Sequence, residues 1–592
     1  MAVLVSSDST QLPYAYYDLD FICPPSKSVQ RISLNIGEVL RGDRTAGSDY
    51  RIAMLQDVDC VRLCEVEIDT AGIERASSLI RNSYVVEWIL DNLPGATTYL
   101  SVDGAKKYYA AGFKLGLFEN DRAYINNHVS IVIRYRPDTE HDGQFYIVAF
   151  EVYPMSAQET SPGSCPRKNG KAKPLLLDPS VETMTIPYSY SVHFEKDTSI
   201  EYLRRWDLYF LNNTYAKNIH WLAIVNALVI AGFLTVVVAI IMLRTLYRDI
   251  ETYNQLSGGG AGEDDKDLSE DVTGWKLVHG DVFRPPAHKG VLASLIGSGV
   301  QLAAMAFAVL VFAALGVLNP SYRGGFMSFS IFLFVLAGIC SGYFSSRLYK
   351  TLNGKKWLKN SLRTSVFVPG ILVGLLLILN MFSWAQSSSS ALPVGTVFAI
   401  ILLWLVVLLP LVVLGGWLGF KRPALEIPVR AKQIARQIPP QPWYLRPAYS
   451  VLVGGLIPFA VILIELLFIL KSVWQDKSGY YYMYGFLGLT VAMLLVTVIE
   501  ISIVTTYFQL CAEDYNWWWR SFFVGAGSGV WIFVYSVWYF FAKLEMAGFV
   551  SGLLFFSYSF IGCVLYALCT GTVSFLAAAL FVRKIYASVK TD

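Results

Sequence analysis

The sequence predicts a membrane protein in which an N-terminal, mainly β, sandwich-like domain precedes a bundle of nine transmembrane α-helices. Long apolar runs are confined to the part of the chain after residue 219, and none occurs before it. The 592-residue chain is 54% hydrophobic and only 16% charged, whereas soluble proteins carry about 25% charged residues. These two observations exclude an ordinary soluble multidomain protein.

The first region, residues 1–219, is expected to form the β-rich domain, here called the head. Apolar and polar residues alternate in segments 129–135, 145–153 and 188–194, which are rich in β-branched and aromatic side chains. This period of two is typical of half-buried strands. Several such strands bounded by turn-forming residues favour a sandwich.

The second region, residues 220–592, is expected to hold the spans, because a helix needs about 20 apolar residues to cross a hydrocarbon core of about 30 Å. The last apolar run is too long for one upright span and short for two, so we predict one helix with an apolar lead-in. The nine predicted spans are residues 221–243, 291–318, 326–344, 366–384, 397–420, 451–470, 486–508, 522–542 and 552–582.

The loops between these spans carry an asymmetric charge. One set, with the C-terminal tail, contains 22 Lys and Arg residues, and the opposite set contains 4. Because basic residues are retained in the cytosol, the tail is predicted to be cytosolic and the head luminal.

A possible N-glycosylation sequon at Asn212 lies on the luminal side, close to the first span. The net charge of +3 is unclustered, so no nucleic-acid partner is expected.

Four of the eight cysteines lie in the head, namely Cys23, Cys60, Cys64 and Cys165. In an oxidising lumen they favour two disulfides, for which three connectivities are possible. Free thiols are the next alternative. A metal site is disfavoured, because the head has neither a second matching cysteine pair nor a histidine cluster.

Two carboxylates, Glu465 and Glu500, fall inside predicted spans. Ionisable groups are costly in a bilayer and are therefore functional candidates. Their positions along helices of opposite direction place them about 12 Å apart in depth, so we do not expect them to touch. Each is either a structural polar anchor or a ligand or proton site.

Small residues recur four apart in the eighth span, at Gly525 and Gly529. This spacing allows close packing of helices. The neighbouring helix belongs either to this bundle or to another membrane protein docked on it.

Sequence motifs of enzymes are missing. The chain contains no HExxH, P-loop, GxSxG or strand-following GxGxxG pattern, and its six histidines are scattered. We therefore expect neither an enzyme nor a bound cofactor or metal.

Several longer motifs resemble the nonaspanins, the transmembrane 9 superfamily, over nearly the whole chain. They include Leu12-Pro-Tyr-Ala-Tyr-Tyr17, Gly37-Glu-Val-Leu-Arg-Gly-Asp43, Gly274-Trp-Lys276, His279-Gly-Asp-Val-Phe-Arg284, and Cys511-Ala-Glu-Asp-Tyr-Asn-Trp-Trp-Trp-Arg-Ser521. The resemblance implies a luminal β-rich head, nine spans, residence in Golgi and endosomal membranes, and a role in sorting membrane proteins. It also implies a signal peptide and a short mature segment ahead of the Leu-Pro-Tyr motif. Because this chain shows neither, we expect it to be truncated at its N-terminus.

The C-terminal residues Lys590-Thr591-Asp592 match the family's Lys-x-Asp tail. The resemblance implies that the COPI coat reads this tail through Lys590 and Asp592 as a Golgi-retention signal. Such a signal requires a cytosolic terminus, which the charge asymmetry predicts independently.

The leading hypothesis is a sorting receptor that recognises glycine-containing transmembrane helices of cargo proteins within the bilayer. Its candidate cargo or ligand surface comprises Glu465, Glu500, Gly525 and Gly529. The first alternative is an ion, metal or lipid transporter or channel. The second is a scaffold that affects adhesion or organelle pH indirectly.

Overall fold

The computed structural model confirms the predicted class, a sheet-rich N-terminal domain followed by a helical membrane region. It describes residues 2–7, 12–26, 32, 34–100, 107–138, 141, 143–158, 173–209, positions within 221–247, 274–318, 322, 324–429, 431–474, 484–544, 546 and 548–588.

The described part of the head contains twelve strands and two α-helices. The strands are β1 Ala2–Ser7, β2 Val58–Asp69, β3 Tyr84–Leu90, β4 Leu93–Pro94, β5 Ala96–Leu100, β6 Lys107–Ala111, β7 Phe113–Lys114, β8 Gly116–Glu119, β9 Arg122–Ile125, β10 His128–Pro137, β11 Phe145–Met155 and β12 Thr183–Lys196. The helices are α1 Ile36–Arg41 and α2 Thr70–Arg81.

The main sheet of the head has six strands in the order β2-β12-β10-β11-β5-β6. It is a mixed sheet, because β10 pairs with β12 and β11 pairs with β5 in parallel, whereas the other neighbours are antiparallel. A second sheet has the order β1-β3-β4, and β7 also pairs with β3. Strands β8 and β9 form a separate hairpin.

One hydrophobic core connects the sheets of the head. The side chains of Ile131, Ile133 and Val152 are completely or almost completely buried. The first half of β10 and the middle of β11 are buried on both faces, whereas alternation alone predicts strands with one buried face. A disulfide between Cys23 and Cys64 joins the N-terminal loop to β2, with Cα atoms 6.0 Å apart. Cys60 is also disulfide-bonded, and Cys165 lies outside the described residues.

A buried charge, Glu151, ties three strands of the main sheet together. Its side chain is 1% exposed and accepts hydrogen bonds from Lys107 Nζ at 2.6 Å, Tyr109 Oη at 2.7 Å, Arg134 Nε at 2.7 Å and Tyr153 Oη at 2.6 Å. A buried carboxylate is tolerated only when its lone pairs are satisfied in this way.

The membrane region contains eight helices in the described residues that are long and apolar enough to span a bilayer, preceded by a shorter apolar helix. They are α3 Ala227–Ile240, which is the shorter one, α4 Lys289–Ala314, α5 Gly325–Thr351, α6 Trp357–Ala385, α7 Val394–Lys421, α8 Pro447–Trp474, α9 Tyr484–Cys511, α10 Trp517–Lys543 and α11 Phe549–Ser588. A single continuous helix, α11, therefore occupies the final apolar run.

The head rests on one end of this bundle, here called the head side. The short helix α1 begins with a capping box in which Asn35 and Glu38 satisfy each other's backbone amides. Its Gly37 amide donates to Ser328 Oγ of α5 at 3.0 Å. A Cβ atom on Gly37 would lie 2.0 Å from the carbonyl oxygen of Gly324, so only glycine permits this approach.

A second contact joins the head to the loop between α6 and α7. The Pro13 carbonyl accepts hydrogen bonds from Ser388 Oγ at 2.9 Å and from the Ser389 amide at 3.0 Å. The junction between head and bundle thus contains two of the motifs singled out in the sequence. One motif includes Pro13, and the other includes Gly37.

Replacing Glu151 with Gln is expected to lower the free energy of unfolding of the head by about 3 kcal/mol, because Lys107 and Arg134 lose their buried counter-charge. Denaturant unfolding of the detergent-solubilised protein measures this change. Glu67→Gln, at an exposed position on β2, is the matched control. Equal stability of the two variants would contradict the anchoring role of Glu151.

The same comparison should depend on pH. Burial raises the pKa of Glu151, but the hydrogen bonds from Lys107, Tyr153, Tyr109 and Arg134 outweigh burial, and the pKa lies below its ordinary value of 4.5. When the pKa of a carboxyl group is lower in the folded state than in the unfolded state, its ionisation stabilises the fold at pH values above the unfolded-state pKa. This stabilisation is lost as the pH falls through the folded-state pKa. The difference between wild type and Glu151→Gln should therefore persist from pH 7 to pH 5 and shrink below about pH 4.

Candidate functional site

Glu465 lines a cavity inside the membrane bundle. It lies in the head-side half of α8 and is 3% exposed. The cavity has a volume of about 370 Å³ and is lined by residues of α8, α9, α10 and α11. Most of its lining is apolar, with side chains such as Leu466, Leu494 and Ile532.

The polar groups that line the cavity are mostly directed to partners within the bundle. Ser536 Oγ donates to the Ile532 carbonyl of its own helix at 2.9 Å. The Tyr566 hydroxyl accepts from Ser528 Oγ at 3.3 Å. Ser559 Oγ is buried without a hydrogen-bond partner among the described residues. The cavity therefore offers an apolar surface with very few available polar atoms.

Glu500 lies in a different place, at the contact between α9 and α3. Its side chain is 9% exposed, and its Oε1 accepts a hydrogen bond from Thr235 Oγ1. Its Oε2 is buried and has no hydrogen-bond partner within the described part of the chain. Nearer the head side, the ring of Trp221, which precedes α3, meets that of Phe486 edge to face at 5.3 Å. We call the Thr235–Glu500 contact together with this ring contact the α3–α9 seam.

Gly525 and Gly529 lie where α10 crosses α11. A Cβ atom on Gly525 would be 2.3 Å from Ser574 Cβ and 2.6 Å from the Thr570 carbonyl oxygen. A Cβ atom on Gly529 would be 3.0 Å from Ala567 Cβ. In this structure a helix of the same chain therefore covers the glycine face, as close small-residue packing allows.

The four residues singled out in the membrane are thus distributed over three places. Glu465 lines the cavity, Glu500 lies at the α3–α9 seam, and the two glycines pack α10 on α11. Sequence reasoning could not reveal the cavity, because its lining residues come from four helices and are brought together only by tertiary packing.

The end of the bundle away from the head is closed by a cluster that we call the tail-side cap, formed by residues 274–288, residues 512–520 and Tyr586. The indole Nε1 of Trp517 donates to the Val282 carbonyl at 2.9 Å, and that of Trp519 donates to the Ala287 carbonyl at 2.9 Å. The tryptophan-rich motif thus holds the loop that contains the His279–Arg284 motif. Both motifs were visible in the sequence. Nothing in the sequence indicated that the tryptophan-rich motif contacts the loop that contains the His279–Arg284 motif.

The last helix is also fixed in this cap. Tyr586, which is 1% exposed, donates its hydroxyl hydrogen to the Trp275 carbonyl at 2.7 Å. The two rings meet edge to face at 5.4 Å. Arg520 completes the cap with an ion pair to Asp514 at 3.3 Å. Residues 589–592, including Lys590 and Asp592, and the sequon at Asn212 lie outside the described residues.

Metal chemistry has no evident location in the part of the chain that the structure describes. No group of three or more His, Cys, Asp or Glu side chains there is arranged to hold a metal ion.

Comparison with known proteins identifies relatives of nearly full length. A sequence model of the family described as Endomembrane protein 70 matches residues 13–549. The chain is 41% identical over 609 residues to Transmembrane 9 superfamily member 10 of Arabidopsis thaliana, covering 99% of this chain and 93% of the relative. It is 40% identical over 616 residues to Transmembrane 9 superfamily member 4 of Homo sapiens, covering 100% and 93%. No solved structure matches the chain.

Replacing Gly525 with Ala is expected to destabilise the bundle by about 1 to 3 kcal/mol, because the added methyl group overpacks the crossing of α10 and α11. Thermal unfolding of the detergent-solubilised protein measures this effect. Gly374→Ala in α6 is the matched control, since a Cβ atom there meets no heavy atom within 4 Å. A Gly525→Ala protein as stable as the control would show that this crossing is not tightly packed.

Proposed function

Since the chain belongs to the endomembrane protein 70 family, whose relatives are named transmembrane 9 superfamily members, we propose that it sorts other membrane proteins in Golgi and endosomal membranes. In this proposal the head is luminal and the tail-side cap is cytosolic. The asymmetry of 22 against 4 basic residues in the loops supports that orientation.

The observation that carries the proposal is the attachment of α11 to the tail-side cap. Tyr586 is buried against Trp275 and hydrogen-bonded to it, and Lys590 follows only four residues later. The C-terminal end of α11, from which the tail continues, is therefore fixed to the tail-side cap. A short peptide signal at such a position can be read by a cytosolic coat without unfolding any part of the bundle. We assign that role to Lys590 and Asp592, with the COPI coat as the partner.

For cargo, we assign the contact to the α3–α9 seam. Glu500 Oε2 has no hydrogen-bond partner among the residues that the structure describes, and an unpaired polar group in hydrocarbon gains from a donor on another helix. The outward face of α3 is exposed in the described residues, with Val229 and Val236 more than half accessible. Because Oε2 is buried beneath α3, a cargo helix that carries Ser or Thr would donate to Glu500 by displacing part of the α3 contact, and Gly residues on that helix would allow the close approach.

The glycine pair has a different part in this proposal. Gly525 and Gly529 are covered by α11, so they hold the bundle together and do not touch the cargo helix. Glu465 lines the cavity and is not assigned to cargo either.

Replacing Lys590 and Asp592 together with Ala is expected to shift the protein from the Golgi to later compartments, because the coat no longer retrieves it. Quantitative fluorescence microscopy against compartment markers measures the shift. Lys584→Ala, which removes an exposed basic residue from the same end of α11, should leave the distribution unchanged. An unaltered distribution of the double variant would remove the coat-binding role.

Replacing Glu500 with Gln is expected to reduce co-purification of a membrane reporter with a Gly- and Ser-containing transmembrane helix by about fivefold. This corresponds to the loss of one interhelical hydrogen bond of about 1 kcal/mol. Glu465→Gln, which neutralises a membrane carboxylate away from the seam, is the matched control. Equal capture by wild type and Glu500→Gln, or equal loss in both variants, would refute the assignment of the seam.

A further inference from the structure

The cavity beside Glu465 has the depth of one lipid leaflet. Its lining residues on α8 extend from Ile462 to Trp474, a distance of about 18 Å along the helix axis. Half of a hydrocarbon core measures about 15 Å. Because Trp474 is at the head-side end of α8, the cavity runs from the head-side surface of the membrane to near its middle.

The mouth of the cavity opens toward the bilayer. Two of its lining residues, Val473 on α8 and Tyr558 on α11, are 63% and 43% exposed. Val473 lies at the head-side end of α8, whereas Tyr558 lies within the span of α11, where the surrounding medium is lipid. Molecules that enter the cavity from this side are therefore membrane components.

The shape of the cavity favours a thin occupant over a helix. Its volume of about 370 Å³ is distributed over a depth of about 18 Å, which leaves a narrow cross-section, whereas an α-helix with side chains is about 10 Å wide. A volume within the usual range for small-molecule sites, distributed over the depth of a leaflet, describes a narrow channel suited to one hydrocarbon chain.

The chemistry of the lining agrees with a hydrocarbon occupant. Ser536 and Tyr566 are engaged in hydrogen bonds within the bundle, so they need no polar ligand. Glu465 lies near the inner end of the channel, where a carboxyl group limits how far an apolar chain can enter. Apolar side chains form most of the remaining lining, with Thr490, Tyr558 and the buried Ser559 as polar exceptions.

We propose that this cavity is a lipid-binding site that takes one acyl chain of a phospholipid from the head-side leaflet. The chain terminus lies toward Glu465, and the glycerol end lies near Trp474. Binding stabilises the arrangement of α8 to α11 by filling apolar volume that would otherwise lack contacts. This site is separate from the α3–α9 seam, so it stands whether or not the sorting proposal holds.

Photo-crosslinking of the full chain in lipid nanodiscs tests the site. Two phosphatidylcholine probes are used, one with a diazirine near the end of an acyl chain and one with a diazirine near the glycerol. Mass spectrometry should place the chain-end adducts on α8 and α11 around Glu465 and Tyr566, and the glycerol-end adducts around Trp474. Adducts spread evenly over all lipid-facing helices, or the two probes in reversed order, would overturn the proposal.

A cavity-filling variant supplies the second measurement. Gly562 lines the cavity, and a Cβ atom there meets no heavy atom within 4 Å, so Gly562→Phe inserts a ring into open space. Adducts at Glu465 and Tyr566 should fall roughly tenfold, equivalent to losing the burial of about two methylene groups. Gly374→Phe is the matched control, because Gly374 is equally open but does not line the cavity. Unchanged labelling in a folded Gly562→Phe protein would show that the chain lies elsewhere.

Discussion

The absence of water from the bilayer core is the constraint on which this architecture depends. Every polar group within the spans must find its partner in the protein. Several buried polar groups of α5 and α6 do so across the two helices, with Ser345 and Thr364 2.7 Å apart and Asn360 Nδ2 donating to Ser345 Oγ at 2.8 Å. Because apolar side chains gain little from meeting each other rather than lipid, small and polar residues determine which helices pack together.

The same constraint separates the interior of the bundle from its two ends. At the tail side, the indole groups of the tryptophan-rich motif hydrogen-bond to backbone carbonyls of the preceding loop. At the head side, the α1 helix and the Pro13 carbonyl contact the ends of the bundle. Both ends are thus held by directional hydrogen bonds, and the proposed coat signal and the head extend from fixed positions. The middle of the bundle, in contrast, contains the cavity and the Glu500 Oε2 atom, which has no hydrogen-bond partner among the described residues.

The fold class was predictable from the sequence because hydropathy and the period of strands are local properties. Segments 129–135 and 145–153 alternate in the sequence and form the central strands β10 and β11. The parallel pairing of β10 with β12 was not predictable, since it joins strands distant along the chain. The helix that covers Gly525 and the cavity that contains Glu465 likewise depend on tertiary packing, which a single sequence does not encode in any local pattern. Glycine spacing indicated a close contact but not its partner.

Sorting by this protein requires that its head and its tail lie on opposite sides of the membrane, which follows only if the number of spans is odd. Protease digestion of sealed Golgi vesicles that contain the protein with a C-terminal epitope tests this most directly. We expect the epitope to be removed from intact vesicles, whereas the disulfide-bonded head stays protected until detergent is added. Digestion of both together, or protection of both, would contradict this expectation.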